Sequence, residues 1–186
     1  MTEFIDILDE NGNPTGESMD GKRAHELHLW HNAAYIWIIN SAGELLLQLR
    51  APSKRLMPNW WDISAAGHVK AGETVIDGAL RELNEELGVK ALPEDLVKLS
   101  MTKIGKFELF GETHISNSFH NGFLLKLDWT VERFALSSRE VAAVKFFPWR
   151  SLAKLSEREL MEQRIVPQPE YKELFKYLNS IKCANE

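Results

Sequence analysis

GHVKAGETVIDGALRELNEELGV, residues 67–89, decides how this chain is read. It crowds Glu82, Glu85 and Glu86 into five positions. Thr74 with Asp77 three residues on predicts a helix start, and Gly88 after Leu87 predicts its stop. Between them Ile76, Ala79, Leu80, Leu83 and Leu87 recur at helical spacing and predict one buried face. Glu82, Glu85 and Glu86 then share the other side. Like charges at i,i+3 and i,i+4 cost roughly 0.3 kcal/mol a pair, and Arg81, i,i+4 to Glu85, offsets part of that. A divalent cation offsets far more. Clustered carboxylates suit Mg²⁺ or Mn²⁺, which keep some waters and complete their shell from substrate phosphates. Glu73 can add a ligand or orient one. Gly67 lets the backbone come close enough for its carbonyl to reach the metal. The bland alternative is a solvated acidic face.

Outward from this stretch the chain alternates strands and helices. EFIDIL (3–8) and the turn DENGNPTG predict an N-terminal hairpin, and AAYIWIIN (33–40), SAG and ELLLQLR (44–50) a second, buried one. Residues 22–30 read as a short helix or irregular chain, and 50–61 as a loop with Arg50, Lys54 and Arg55. Further strands are expected at 103–110, 118–128 and 144–149, and amphipathic helices at 151–163 and 169–182. The class is α/β or α+β, with helices covering a sheet. The expected organisation is a single domain over 1–186, with a core at about 31–149, a hairpin at 3–19 and C-terminal helices at about 151–182.

A chain of 186 residues that is 44% hydrophobic can bury a full core. Its net charge of -5 argues against nucleic-acid polymers and anionic membranes as partners. A small anionic substrate then needs a metal or a local basic patch. The one cysteine, Cys183, allows no internal disulfide, which predicts a reducing, cytoplasmic setting. The N-terminus lacks the pattern of a signal peptide. The run AAYIWII is too short to span a bilayer.

Gly67, five residues, Glu73, seven residues, then Arg81-Glu82-Leu83-Asn84-Glu85-Glu86-Leu87-Gly88-Val89 resembles the Nudix box, matching all nine specified positions over 23 residues. The resemblance extends through the strands from about 31 to 149. It implies an α/β/α sandwich with a mixed sheet. It also implies Mg²⁺-dependent hydrolysis of a nucleoside diphosphate derivative or a related organic diphosphate. Carried over by position, Glu82, Glu85 and Glu86 are metal ligands, and Gly67 gives a backbone ligand. Glu73 is a supporting carboxylate, and Arg81 holds the glutamates in place. The base is a box glutamate or a later carboxylate, Glu112 or Glu140.

Residues 31–68, with the N-terminal hairpin, are similar to the branch near type I isopentenyl-diphosphate isomerase. That enzyme has a catalytic thiol in a CGH segment, a histidine-rich metal site and an ExE carboxylate pair. Here Ala66-Gly67-His68 lacks the thiol, and Ser116-Asn117-Ser118 stands where the pair is expected. His31 and His68 match histidine positions, with His25 or His28 as a further one. Arg50 and Lys54 match basic positions that hold the diphosphate. Trp60 and Trp61 sit beside the expected cleft, where core packing competes with a substrate role. The expected substrate-binding set is Arg50, Lys54, His31, His68 and Trp61. The chemistry that needs Cys has lost its residue, and the chemistry that needs clustered Glu keeps all of it. A hydrolase is therefore expected. Isomerisation and a non-catalytic diphosphate-binding module are the alternatives. The C-terminal helices allow a homodimer, though their pattern is that of ordinary packing.

Overall fold

The computed structural model describes residues 3–183, so residues 1–2 and 184–186 of the expected domain lie outside it. The chain opens with a hairpin of β1 (Phe4–Leu8) and β2 (Pro14–Asp20), followed by the short helix α1 (Gly21–Glu26). Then come β3 (His31–Ile39), β4 (Glu44–Arg50), β5 (Trp61–Asp62), β6 (Ala65–His68) and helix α2 (Val75–Leu87). A long hairpin of β7 (Leu96–Leu109) and β8 (Glu112–Lys126) leads to β9 (Val141–Pro148). Helices α3 (Trp149–Leu152), α4 (Glu157–Glu162) and α5 (Tyr171–Cys183) end the chain.

Seven strands form one mixed sheet in the order β5-β4-β3-β8-β7, with β6 on β3 and β9 on β4. The central pair, β3 and β8, is parallel, with His31 opposite Ser118 and Ile39 opposite Lys126. Strands β3 and β4 pair only beside their turn, at Ile38–Leu46 and Ile39–Leu45. They then part, and β6 takes the edge of β3 while β5 takes that of β4. Buried Ser64 sits at the parting. Its hydroxyl accepts from Ile38 N at 2.7 Å and donates to Leu46 O at 2.6 Å, closing the ladder where the strands separate.

Period-two alternation sends each strand to two cores. Ala34, Ile36, Ile38, Leu46, Phe123 and Leu125 meet Ala79, Leu83 and Leu87 of α2. On the opposite face Trp37, Leu45, Leu47 and Leu124 meet Trp149, Leu152, Leu160, Tyr171, Leu174 and Leu178 of the C-terminal helices. Coverage on both faces explains the unbroken apolar run of β3. The layers are helix, sheet, helix, as the sequence led one to expect.

Two expectations change. Residues 151–163 are not one helix: α3 ends at Leu152, and α4 restarts after Ser156, which forms a capping box with Glu159. The strands expected at 103–110 and 118–128 form one longer hairpin, 96–109 and 112–126.

Candidate active site

Helix α2 is fixed at both ends. Thr74 and Asp77 form the capping box, and Gly88 takes the left-handed conformation with φ 68°. A Cβ on Gly88 would fall 2.7 Å from Ala135 Cβ. The C-terminal carbonyls are satisfied from the following loop, with Ala135 N donating to Leu87 O and Ser137 N to Glu86 O.

The helix lies directly beneath β6. A Cβ on Gly67 would come within 2.2 Å of Glu82 Oε1, so a larger residue there would force the Glu82 carboxylate to move. The glutamates share one side of the helix, but that side is not a solvated face. Glu82 is 8% exposed and Glu86 3%, both turned toward the sheet, while the Glu85 side chain is half exposed. Glu86 Oε2 accepts from Gln48 Nε2 at 3.1 Å and Ala66 N at 3.2 Å. Burial, reinforced by the charge of Glu82, pushes the Glu86 carboxyl up to about 8. Burial also raises Glu82, against the opposing pull of Arg81.

Arg81 is the hub. It donates to Glu73 Oε1 at 2.9 Å and Oε2 at 3.1 Å, Glu82 Oε1 at 2.5 Å, Glu85 Oε2 at 3.2 Å and His68 O at 2.7 Å. Burial alone would raise Glu73, but these bonds and Lys70 N–H hold it below the usual carboxylate range. Glu85 also meets Lys70 Nζ at 3.4 Å. Glu73, Arg81, Glu82, Glu85 and Glu86 thus converge beside the Gly67 backbone. Glu73 joins the group through Arg81, and the Gly67 backbone lies against Glu82.

On the other side of β6, His25, His31 and His68 bring one ring nitrogen each within 4.8 Å of one another. His68 Nδ1 meets Glu3 Oε2 at 3.1 Å, and His31 Nδ1 meets Leu29 O at 3.0 Å. Those partners only accept, so both Nδ1 atoms carry the proton and both Nε2 atoms are free to accept or ligate. His25 Nε2 lies 2.8 Å from His68 Nε2. Burial holds His31 neutral, its pKa lowered to about 4. Such a set of aimed imidazoles can hold a cation.

The basic residues are engaged by acids. Arg50 Nη1 meets buried Asp62 Oδ2 at 3.0 Å, and its Nε donates to Leu56 O at 3.0 Å. Lys54 Nζ pairs with Glu140, and both charges bear on Glu86. Trp61 is half-buried against Phe147, with its backbone bridged to Ile165. Trp60 meets Phe110 of the β7–β8 turn. Glu112, exposed at that turn, lies 3.9 Å from His114. Ser118 lies opposite His31, so the serine segment does border the histidines. Residue-level reading missed Glu3, Gln48, His120 and Glu170. Each arrives from a distant segment, and the only signal was a polar residue inside an apolar run, as in LLLQLR and FHNGF.

The family description "NUDIX domain" matches residues 29–168. The chain is 36% identical over 167 residues to Nudix hydrolase 3 of Arabidopsis thaliana, covering 84% of this chain but only 21% of that protein. It is 36% identical over 98 residues to an isopentenyl-diphosphate Delta-isomerase of Shigella flexneri, covering 52% of this chain and 53% of that protein. Among solved structures, DR0079 from Deinococcus radiodurans superimposes with a TM-score of 0.59 at 23% identity, covering 87% of this chain and 98% of that one. At that identity the likeness is one of fold.

Proposed function

This chain belongs to the Nudix family, and from that premise we propose that it is a divalent-metal-dependent hydrolase. It would cleave the phosphoanhydride bond of a nucleoside diphosphate derivative or another small organic diphosphate. The observation that carries the reading is the pair Glu82 and Glu86, buried side by side beneath β6 with one arginine between several carboxylates. Burying such groups is costly unless something compensates the charge.

The donor set fits Mg²⁺ or Mn²⁺. Among the described residues Glu86 has no cationic partner within hydrogen-bond reach, and Gly67 lets the Glu82 carboxylate approach its backbone. Glu82, Glu85, Glu86 and the Gly67 carbonyl would hold the ion. When bound it would neutralise phosphate charge and make attack by water easier. Arg81 spaces Glu82 and Glu85 and ties them to Glu73, so the carboxylates are set before substrate arrives. Gln48 and Ala66 N fix the Glu86 rotamer. Lys54, now paired with Glu140, would meet a substrate phosphate on leaving it. Water would attack phosphorus and displace a phosphate-bearing leaving group. A cytoplasmic setting and a small-molecule partner belong to the same proposal. Among the described residues no helix is long and apolar enough to cross a membrane.

An isomerase-like activity is the second reading. The histidine trio and the likeness to the Shigella isomerase favour it, while Ala66 in place of a thiol counts against it. The test is cleavage of ADP-ribose, UDP-glucose, CDP and isopentenyl diphosphate, with Mg²⁺, Mn²⁺ or EDTA, read by chromatography of the phosphomonoester and phosphate products. Turnover that needs metal and disappears in Glu86→Gln supports the hydrolase. Equal turnover in that variant would sink it.

A further inference from the structure

Two aromatic rings that no core claims meet at the rim of the sheet. Phe110 and Trp60 lie with ring centroids 5.4 Å apart and planes at 67°. Neither belongs to any of the three hydrophobic clusters. Phe110 is 61% exposed, so burial does not explain the contact. The ring is also held in a strained place. Phe110 and Gly111 form the two-residue turn between β7 and β8, with φ 52° and 81°. Such a turn favours Asn-Gly or Asp-Gly, and a bulky side chain at its first position is strained. An exposed ring kept at a strained position and seated on a second ring asks for a role beyond packing.

Both rings reach the mouth of the carboxylate site. The Glu86 carboxylate takes bonds from Gln48 on β4 and from Ala66 on β6, so it sits where the two arms of the sheet part. Trp60 stands on the β4 side of that parting. Its carbonyl accepts from Arg50 N at 2.9 Å, which carries the β4–β5 pairing one step past Leu49–Trp61. Trp61 faces the C-terminal core with Phe147, so alternation turns Trp60 to the other face, the one that Gln48 shares with Glu86. Arg50 and Gln48 are two residues apart on β4, about 7 Å. A diphosphate and a sugar can bridge that span. Phe110 comes from the far side. Strand β8 pairs with β3 only from Ser118 onward, so residues 112–117 run past the sheet as one side of a hairpin arm. Those residues reach about 20 Å, and the three strand spacings from β8 to β5 measure about 14 Å. The register slips between Ile104 and Lys106, beside Asn117, whose backbone is left-handed at φ 32°. Such a slip bends the strand. Asn117 Nδ2 donates to His28 O at 2.6 Å and fixes the base of the arm. The arm leans across the end of the sheet, and its tip lands on Trp60.

We propose that Trp60 and Phe110 clamp the flat base of a nucleoside diphosphate substrate, with the hairpin tip closing over it. The inference rests on the hydrolase reading and narrows it to substrates that carry a nucleobase. A base slipped between the rings trades one edge contact for a stacking face on each. Its polar edges stay in water at the rim, so no hydrogen bond is left unmade. A prenyl chain gains only in proportion to the apolar area removed from water, and a rim of two rings leaves most of it wet. Every base offers a π face, so the clamp selects for a base without choosing which one. It takes no part in the chemistry. It holds one end of the substrate while the carboxylates act at the other.

The test is calorimetric binding of ADP, CDP, GDP and UDP to the full chain, set against inorganic pyrophosphate, which has the phosphates and no base. Ca²⁺ replaces Mg²⁺ so that binding is read apart from turnover. The wild type should bind at least one nucleotide about tenfold more tightly than pyrophosphate. Phe110→Ala and Trp60→Ala should each erase most of that preference, and Phe110→Tyr, which keeps a ring, should retain it. Thermal unfolding checks that each variant is folded, and Phe110→Ala, at an exposed tip, decides alone if Trp60→Ala is not. Equal affinity for nucleotides and pyrophosphate, or no binding of either, overturns the clamp. So does an unchanged preference in folded Phe110→Ala, or an equal loss of isopentenyl diphosphate binding in that variant. The hydrolase is judged separately by Glu86→Gln. Turnover lost there with no base preference removes the clamp and leaves the hydrolase. A base preference that needs both rings, with equal turnover in Glu86→Gln, keeps the clamp and removes the hydrolase.

Discussion

Glu86 holds a carboxyl where its ionised form is least welcome. Without metal it keeps its proton up to about pH 8, whereas the unfolded chain releases it near 4.5. The folded state therefore binds the proton more tightly, and metal-free stability should fall as pH rises from about 4.5 through about 8. Glu86→Gln removes that loss. In EDTA at pH 8.5 the variant should be more stable than wild type by on the order of 2 kcal/mol, and the gap should close toward pH 4.5. Melting curves across that range check it, and parallel curves for the two proteins would refute it. His31 works in the opposite direction. Its folded pKa is depressed to about 4, so its contribution is present above about 6.5 and is lost as pH falls toward 4. His31→Gln should flatten that acid-side slope, as denaturant titrations at pH 7 and 4.5 would show. Gly67→Ala would drive a methyl into Glu82. It should cost about 2 kcal/mol and abolish turnover, read by urea unfolding and by chromatography of the cleavage products.

Among the elements, α2 carried its own instructions. Thr74, Asp77, the apolar spacing and Gly88 all act within a few residues, so the sequence predicts both ends of the helix. Gly88→Ala meets both the left-handed backbone and Ala135. It should destabilise by about 2 kcal/mol, measurable by thermal melts. Other elements were less legible because their limits depend on distant partners. Leu152, Leu155 and Leu160 continue one pattern across the break between α3 and α4, and only the Ser156 cap divides them. The β7–β8 hairpin runs beyond the apolar core, where polar alternation gives a weak signal. The box glutamates could be found in one stretch. The partners Glu3, Gln48 and Glu170 could not, since nothing in their own neighbourhoods ties them to residues that lie far along the chain. Even within the box, local spacing placed the glutamates correctly on one side of the helix. It could not reveal that β6 would cover two of them.

At the scale of the molecule, the segment before α5 is fastened to the sheet. Trp61 bridges Ile165, Gln168 donates to Asp62 at 2.6 Å, and Glu170 meets His120. Leu174, 1% exposed beneath α5, anchors the helix that follows. Leu174→Ala should cost about 3 kcal/mol, read by denaturant titration. The parallel pairing of β3 with β8 has a different kind of consequence, one of timing. Ribosomes deliver β3 long before β8, with the carboxylate helix in between. Until β8 emerges, one edge of β3 has no hydrogen-bonding partner, and Ile36, Trp37 and Ile38 await much of their cover. The nascent chain must carry that adhesive stretch while β4 through β7 are made, which makes it a natural client for a chaperone at the exit tunnel.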